Sequence, residues 1–122
     1  MILLDTNAVI WLHRNDRRAA RLGDRGRLYV SPATVLELQF LLEVGRLRLA
    51  ADSEVTHLVH DDRWVVDDPS SAAWFDAATT IQWTRDPFDR LLVAHARIRK
   101  WRLATGDSLL LERLSDREAI AL

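Results

Sequence analysis

The chain opens with a short, unbroken apolar run, Met1–Ile2–Leu3–Leu4, which gives way at once to the polar triplet Asp5–Thr6–Asn7. That is the signature of a strand buried on both faces and delivered into a loop at its C-terminal end. Ala8 to Leu12 has helical spacing, and the pattern predicts that an arginine-rich segment continues as helix to Leu22, closed by Gly23 and Gly26. Leu28–Val30 restarts a strand. Ser31–Pro32 is a capping residue followed by proline at the first helical position, and Gly45 is a natural stop, so a helix between them carries Glu37 near its middle. Asp52–Ser53 opens a helix to about His60, Trp64–Val66 reads as a third strand, and Ser70–Ser71 begins a helix to about Thr80. Asp86–Pro87 starts the next helix, which runs to about Lys100. Arg102–Thr105 is then a strand, Ser108–Leu114 a short helix and Ala119–Leu122 a last strand. There is no repeat, linker or low-complexity stretch, and 122 residues match one domain spanning 1–122.

Buried strands alternating with helices predict an α/β fold: an open parallel sheet with right-handed crossovers and helices on both faces. Ligands bind such sheets at the C-terminal ends of the strands, which directs attention to Asp5 and Asp107, each just beyond a strand. Glu37 has Ala33, Thr34, Phe40 and Leu41 at helical neighbour spacing, and Asp89 has Leu92, Val93 and Ala96, so both acids share largely apolar faces and point inward. Each also has a purely structural reading. Asp5 and Asp107 can cap the helices that follow them, Asp89 sits in a first helical turn where a carboxylate meets free amides, and Asp86 before Pro87 is a near-ideal cap. Buried carboxylates without basic partners must protonate, pair or bind a cation. Oxygen ligands without cysteine or a convincing histidine set favour Mg²⁺ or Mn²⁺ over zinc, and such sites commonly hydrolyse phosphodiesters.

Composition adds three things. Apolar residues at 48% and charged residues at 29% are a globular balance. No apolar run approaches the roughly 20 residues that span a bilayer, no basic export signal precedes Asp5, and cysteine is absent, so the expected compartment is the cytoplasm. The net charge of −1 conceals a choice of cation, because sixteen of seventeen basic residues are arginine. Six lie between Arg14 and Arg27, and Arg97, Arg99, Lys100 and Arg102 form a second group, whereas acids gather at Asp61–Asp62 and Asp67–Asp68. Planar guanidinium forks match phosphate geometry, but arginine-rich composition also arises without any nucleic-acid role. Leu36, Phe40 and Val44, with Leu41, have core spacing, although a dimer or partner groove could use the same stripe. The five tryptophans are expected to pack internally or at a dimer contact, and His57 and His60 to be solvated.

Four segments carry a resemblance to a known family: Leu3–Leu4–Asp5–Thr6–Asn7, Val30 to Leu38 around Glu37, Arg85 to Ala94 around Asp89, and Ala104–Thr105–Gly106–Asp107. In this order they resemble the PIN-domain family, in particular the VapC-type toxin ribonucleases of bacterial toxin–antitoxin pairs. The resemblance implies a three-layer α/β/α sandwich, Mg²⁺ or Mn²⁺ held by Asp5, Glu37, Asp89 and Asp107, and endonucleolytic cleavage of RNA by metal-activated water. It also implies a homodimer and a small cognate antitoxin that covers the acidic site. Thr6, Asn7, Asp86, Arg90 and Thr105 would support the ligands or the substrate, Arg90 by orienting a carboxylate or phosphate. His95 stands where many relatives have an amide, which puts in question the helix surface after Asp89 as a contact for substrate or partner. Two other functions compete. A small metal-dependent phosphatase would also place an acid after its first strand, but two residues on it would have a second acid where this chain has Asn7. A catalytically inactive binding module could keep the fold and use the acids only to receive a basic peptide.

Overall fold

In the computed structural model, which describes residues 1–122, strand β1 (Ile2–Leu4) turns Ile2 and Leu4 into one hydrophobic cluster and Leu3 into another. Successive side chains of a strand point to opposite faces, and here both faces are buried, hence the unbroken apolar run. β1 pairs in parallel with β2 (Leu28–Val30) and with β4 (Arg102–Thr105). β3 (Trp64–Val66) and β5 (Ala119–Ala121) complete an all-parallel sheet of order β3-β2-β1-β4-β5.

Helices cover both faces. α1 (Thr6–His13), α2 (Pro32–Glu43) and α3 (Val55–Val59) send Val9, Leu38 and Leu58 into the cluster that contains Ile2 and Leu4. α5 (Pro87–Arg99) and α6 (Ser108–Arg113) bury Leu92, Val93 and Leu110 against Leu3. α4 (Ser71–Thr79) lies on α5 through Trp74, Ala78 and Ala94. The expected α/β/α layering is present. No helix is long and apolar enough to cross a membrane.

Four expectations need correction. The arginine-rich segment is not a helix: Asn15 takes the left-handed conformation (φ 55°), and the chain continues in turns to a single 3₁₀ turn at Leu22–Asp24. The Asp16 carboxylate accepts from the Arg18 amide at 2.9 Å, a local bond that competes with helix continuation. The helix expected from Asp52 begins only at Val55, because residues 51–52 form a turn. The stripe Leu36, Phe40, Val44 is no core: these side chains are 63%, 48% and 51% exposed, since α2 packs on its Thr34–Leu38 side and has more apolar residues than one buried face accepts. His95 is not on a surface at all. It is fully buried, and its Nε2 lies 2.7 Å from Asp67 Oδ2. The tryptophans at 64 and 74 are buried with their indole N–H groups donating to the carbonyls of Val59 and Leu91, and His57 and His60 are exposed.

Candidate active site

Strand order reverses between β1 and β4, which places a crevice beyond their C-terminal ends. Asp5 leaves β1 there and caps α1, one carboxylate oxygen accepting from the Ala8 amide at 2.7 Å. Asp107, two residues past β4, caps α6 by accepting from the Leu110 amide at 3.0 Å. The capping readings are therefore correct, and they do not exclude a second role, because each cap uses a single oxygen. Asp86 caps α5 with bonds from the Phe88 and Asp89 amides at 2.8 and 3.2 Å, which fixes the first turn that carries Asp89. Glu37 reaches the same crevice from α2, its Oε1 accepting a short bond from the Thr6 hydroxyl, and the Thr6 and Thr34 hydroxyl oxygens are 3.3 Å apart. Asp5, Thr6, Asn7, Glu37, Arg46, Asp86, Asp89 and Asp107 line one cleft of about 190 Å³, floored by Leu41 and Leu92.

None of these five acids makes an ion pair; the salt bridges of the chain lie elsewhere. The cost shows in the proton affinities of Asp5, Glu37 and Asp89. Burial pushes Asp5 up to about 6, opposed by the Thr105 hydroxyl and the Ala8 amide and reinforced by the charge of Asp107. Burial raises Asp89 to about 7, and Asp86, Asp107, Glu37 and Asp5 all add to the rise. Burial also raises Glu37, opposed first by the Thr6 hydroxyl, with Asp86 and Asp5 raising it and Arg46 lowering it. Carboxylates crowded until three of them hold their protons above the usual carboxylate range are the donor set that a hard divalent cation relieves. As the side chains stand, no three of them converge on a single point, and Glu37 is turned to Thr6. The fit is therefore one of donor chemistry and electrostatics.

A family model, the PIN domain, matches residues 2–115. The chain belongs to the PIN-domain family. Solved structures agree in fold. A toxin–antitoxin complex from Klebsiella pneumoniae superimposes with a TM-score of 0.70 at 14% identity, over 99% of this chain and 97% of that one. The VapBC2 complex of Rickettsia felis, bound to a DNA fragment from its promoter, gives 0.70 at 15% identity over 100% and 99%. FitAcB from Neisseria gonorrhoeae is 26% identical over 88% of each chain, with a TM-score of 0.53. A comparison with curated proteins finds no match.

Within this PIN domain the structure brings Asp5, Thr6, Asn7, Glu37, Asp86, Asp89 and Asp107 to one cleft. Thr105 lies directly behind it, fully buried, its hydroxyl accepting from the Asp107 amide at 3.0 Å. Arg90 is not on the cleft wall; its Nε donates to the Thr84 carbonyl at 2.8 Å. Sequence reading passed over Arg46, the one cation lining the cleft. Nothing local marks it. It comes after the helix stop at Gly45 (φ 77°), and only the turn back, with its amide donating to the Leu41 carbonyl at 2.8 Å, carries it over the acids.

Proposed function

We propose that this PIN domain is a Mg²⁺- or Mn²⁺-dependent endoribonuclease and the toxin of a toxin–antitoxin pair, working as a homodimer on cytoplasmic RNA. The observation that carries the reading is the meeting of Asp5, Glu37, Asp89 and Asp107, from four separate elements, in one cleft without an ion-pair partner. Family membership and the toxin–antitoxin complexes among the structural neighbours support it.

Asp5, Glu37, Asp89 and Asp107 would hold the ion, which when bound supplies charge neutralisation at the phosphodiester and orients an attacking water. The remaining work belongs to the chain. The Thr6 hydroxyl fixes the rotamer of Glu37, and the Thr105 hydroxyl fixes the loop that carries Asp107. Asn7, exposed on the cleft wall, offers an amide to a phosphate oxygen or to water. Arg46 offsets part of the acidic charge next to Glu37. The antitoxin partner would present basic side chains to the same acids, competing with metal and substrate.

Purified protein incubated with Mn²⁺ should cut a folded RNA internally and leave a small phosphomonoester intact. Asp5→Asn and Asp89→Asn should each reduce cleavage by more than the roughly 10–100-fold that outer-shell partners of a metal contribute, and should relieve growth arrest on expression. Hydrolysis of the phosphomonoester alone would transfer the protein to the phosphatases. Undiminished cleavage by both variants would remove the metal-centred mechanism.

A further inference from the structure

Four of the six arginines that the sequence crowds between positions 14 and 27 are gathered by the fold along one concavity. Ala19 and Leu22 are buried in the core beneath α1, and these two anchors turn Arg17, Arg18, Arg21 and Arg25 outward. With Leu22, Asp24, Ala121 and Leu122 they line a concavity of about 590 Å³. Arg18 is committed: it grips Asp16 at 2.8 Å, and its guanidinium carbon lies 4.1 Å from the centre of the Trp11 ring. Arg17, Arg21 and Arg25 make no ion pair, and Asp24, the one acidic side chain on the wall, pairs with none of them.

Two contacts tie the region of this basic concavity to the loop that carries Asp107 into the acidic cleft. Leu122, on its wall, donates its amide to the Thr105 carbonyl at 3.0 Å. Trp11, beneath Arg18, packs so closely on Gly106 that a Cβ there would stand 2.6 Å from the indole. Thr105 and Gly106 lead directly to Asp107 on the cleft wall, so one short loop ties the wall of the concavity to that of the cleft. The cleft itself, with five acids and one arginine, repels a polyanion. A substrate strand needs cations near enough to hold it while the acids act on one bond.

We infer that the Arg17–Arg21–Arg25 concavity binds the phosphodiester backbone of RNA and anchors the strand that enters the acidic cleft. The inference rests on the endoribonuclease reading for the identity of its ligand. Guanidinium groups without internal partners have their donors available for phosphate oxygens, and Arg makes such contacts through a planar fork. An acidic peptide could satisfy the same charges, but continuity with a cleft suited to phosphodiester chemistry favours the nucleic acid.

The test compares the triple variant Arg17→Gln/Arg21→Gln/Arg25→Gln with a control that removes the same charge elsewhere, Lys100→Gln/Arg113→Gln/Arg117→Gln, all six positions being exposed. Binding of a labelled single-stranded RNA is read by fluorescence anisotropy across a salt series, in an Asp89→Asn background so that cleavage cannot erode the probe. The concavity variant should lose roughly tenfold or more in affinity, and its slope of log K against log salt should fall by about 2, as losing three phosphate contacts requires. The control should lose far less. In the cleaving protein the same triple variant should raise KM for a long RNA while leaving kcat unchanged. Equal affinity and slope in variant and parent, or equal losses in variant and control, overturn the inference. So does tighter binding of the parent to an acidic peptide than to RNA. If the parent binds RNA through these arginines but never cuts it, the proposed activity fails and the binding surface stands.

Discussion

Asp89 shows how far a single residue can be set against its own charge. Its pKa of about 7, against an ordinary 3.8, means that the folded state holds the proton far more tightly than the unfolded chain. A carboxylate shifted upward costs stability as pH rises from its unfolded to its folded value, and above that the cost is constant. Removing the charge should therefore stabilise the metal-free protein. Asp89→Asn is expected to melt above the parent, with the gap widening between about pH 4 and about pH 7 and constant beyond; with saturating Mn²⁺ the parent should melt higher. Thermal melts in chelator and in Mn²⁺ check both signs, and a metal-free parent that outlasts the variant at neutral pH would sink the argument. Gly106 makes the opposite kind of demand, a steric one. An alanine Cβ would stand 2.6 and 3.0 Å from Trp11 ring atoms, and Arg18 lies over that ring. Gly106→Ala should cost about 1–3 kcal/mol, the usual range for overpacking. Trp11→Leu in the same chain should return part of it, which a double-mutant cycle by urea unfolding would measure.

At the scale of elements, α5 joins two functions along its length. Its first turn presents Asp89 to the cleft, while His95 two turns on is sealed inside the fold, against Asp67 just past β3. Asp67 is also held by Arg99 at 2.8 Å, so the end of β3 is pinned to α5 by two bases. His95 Nδ1 has no partner, which fits a neutral ring whose Nε2–H donates to Asp67. Burial lowers the pKa of His95 from 6.5 even though the Asp67 contact raises it. A depressed base stabilises the fold above its unfolded pKa and loses that contribution as pH falls below about 6.5. His95→Leu should therefore cost about 1–3 kcal/mol at neutral pH and less below about pH 5.5, by denaturant unfolding at the two pH values; a cost that grew in acid would contradict a neutral His95. These contacts also mark where sequence reading stopped. Ser31–Pro32 and Asp86–Pro87 announced their helices because a cap is a local event, with its acceptor two or three residues from its donor. The His95–Asp67 pair spans 28 residues, and no periodicity reveals it. The arginine segment misled for a related reason: its apolar anchors, Ala19 and Leu22, have helical spacing, but the Asp16–Arg18 bond outcompetes the helix.

For the molecule as a whole, continuous apolar strands implied a parallel sheet buried on both faces, and parallel connectivity put every strand exit on one edge. That is why Asp5 and Asp107, a hundred residues apart in sequence, could be expected together. What could not be read was the part that depends on how much core the sheet offers. α2 carries more apolar surface than the sheet can cover, so Leu36, Phe40 and Val44 are exposed, and Arg46 returns over the cleft by a turn whose direction is a tertiary outcome. The cleft then acts as a joint. Its acids come from the end of β1, the middle of α2, the start of α5 and the loop after β4, so an ion bound to all of them cross-links both helical layers through the sheet edge. A ligand that binds only the folded state stabilises it by RT ln(1 + [L]/Kd), about 2.7 kcal/mol at roughly 100 times Kd. For a domain of this size that is a melting shift of about 10 °C. Mn²⁺ should produce it in the parent, and chelator should reverse it. Asp5→Asn and Glu37→Gln, on different elements, should each abolish most of the shift, whereas Asp52→Asn, exposed and away from the cleft, should keep it in full. If the two cleft variants shifted as far as the parent, the ion would be stabilising the fold from somewhere else, and the four acids would lose their claim to a common ligand.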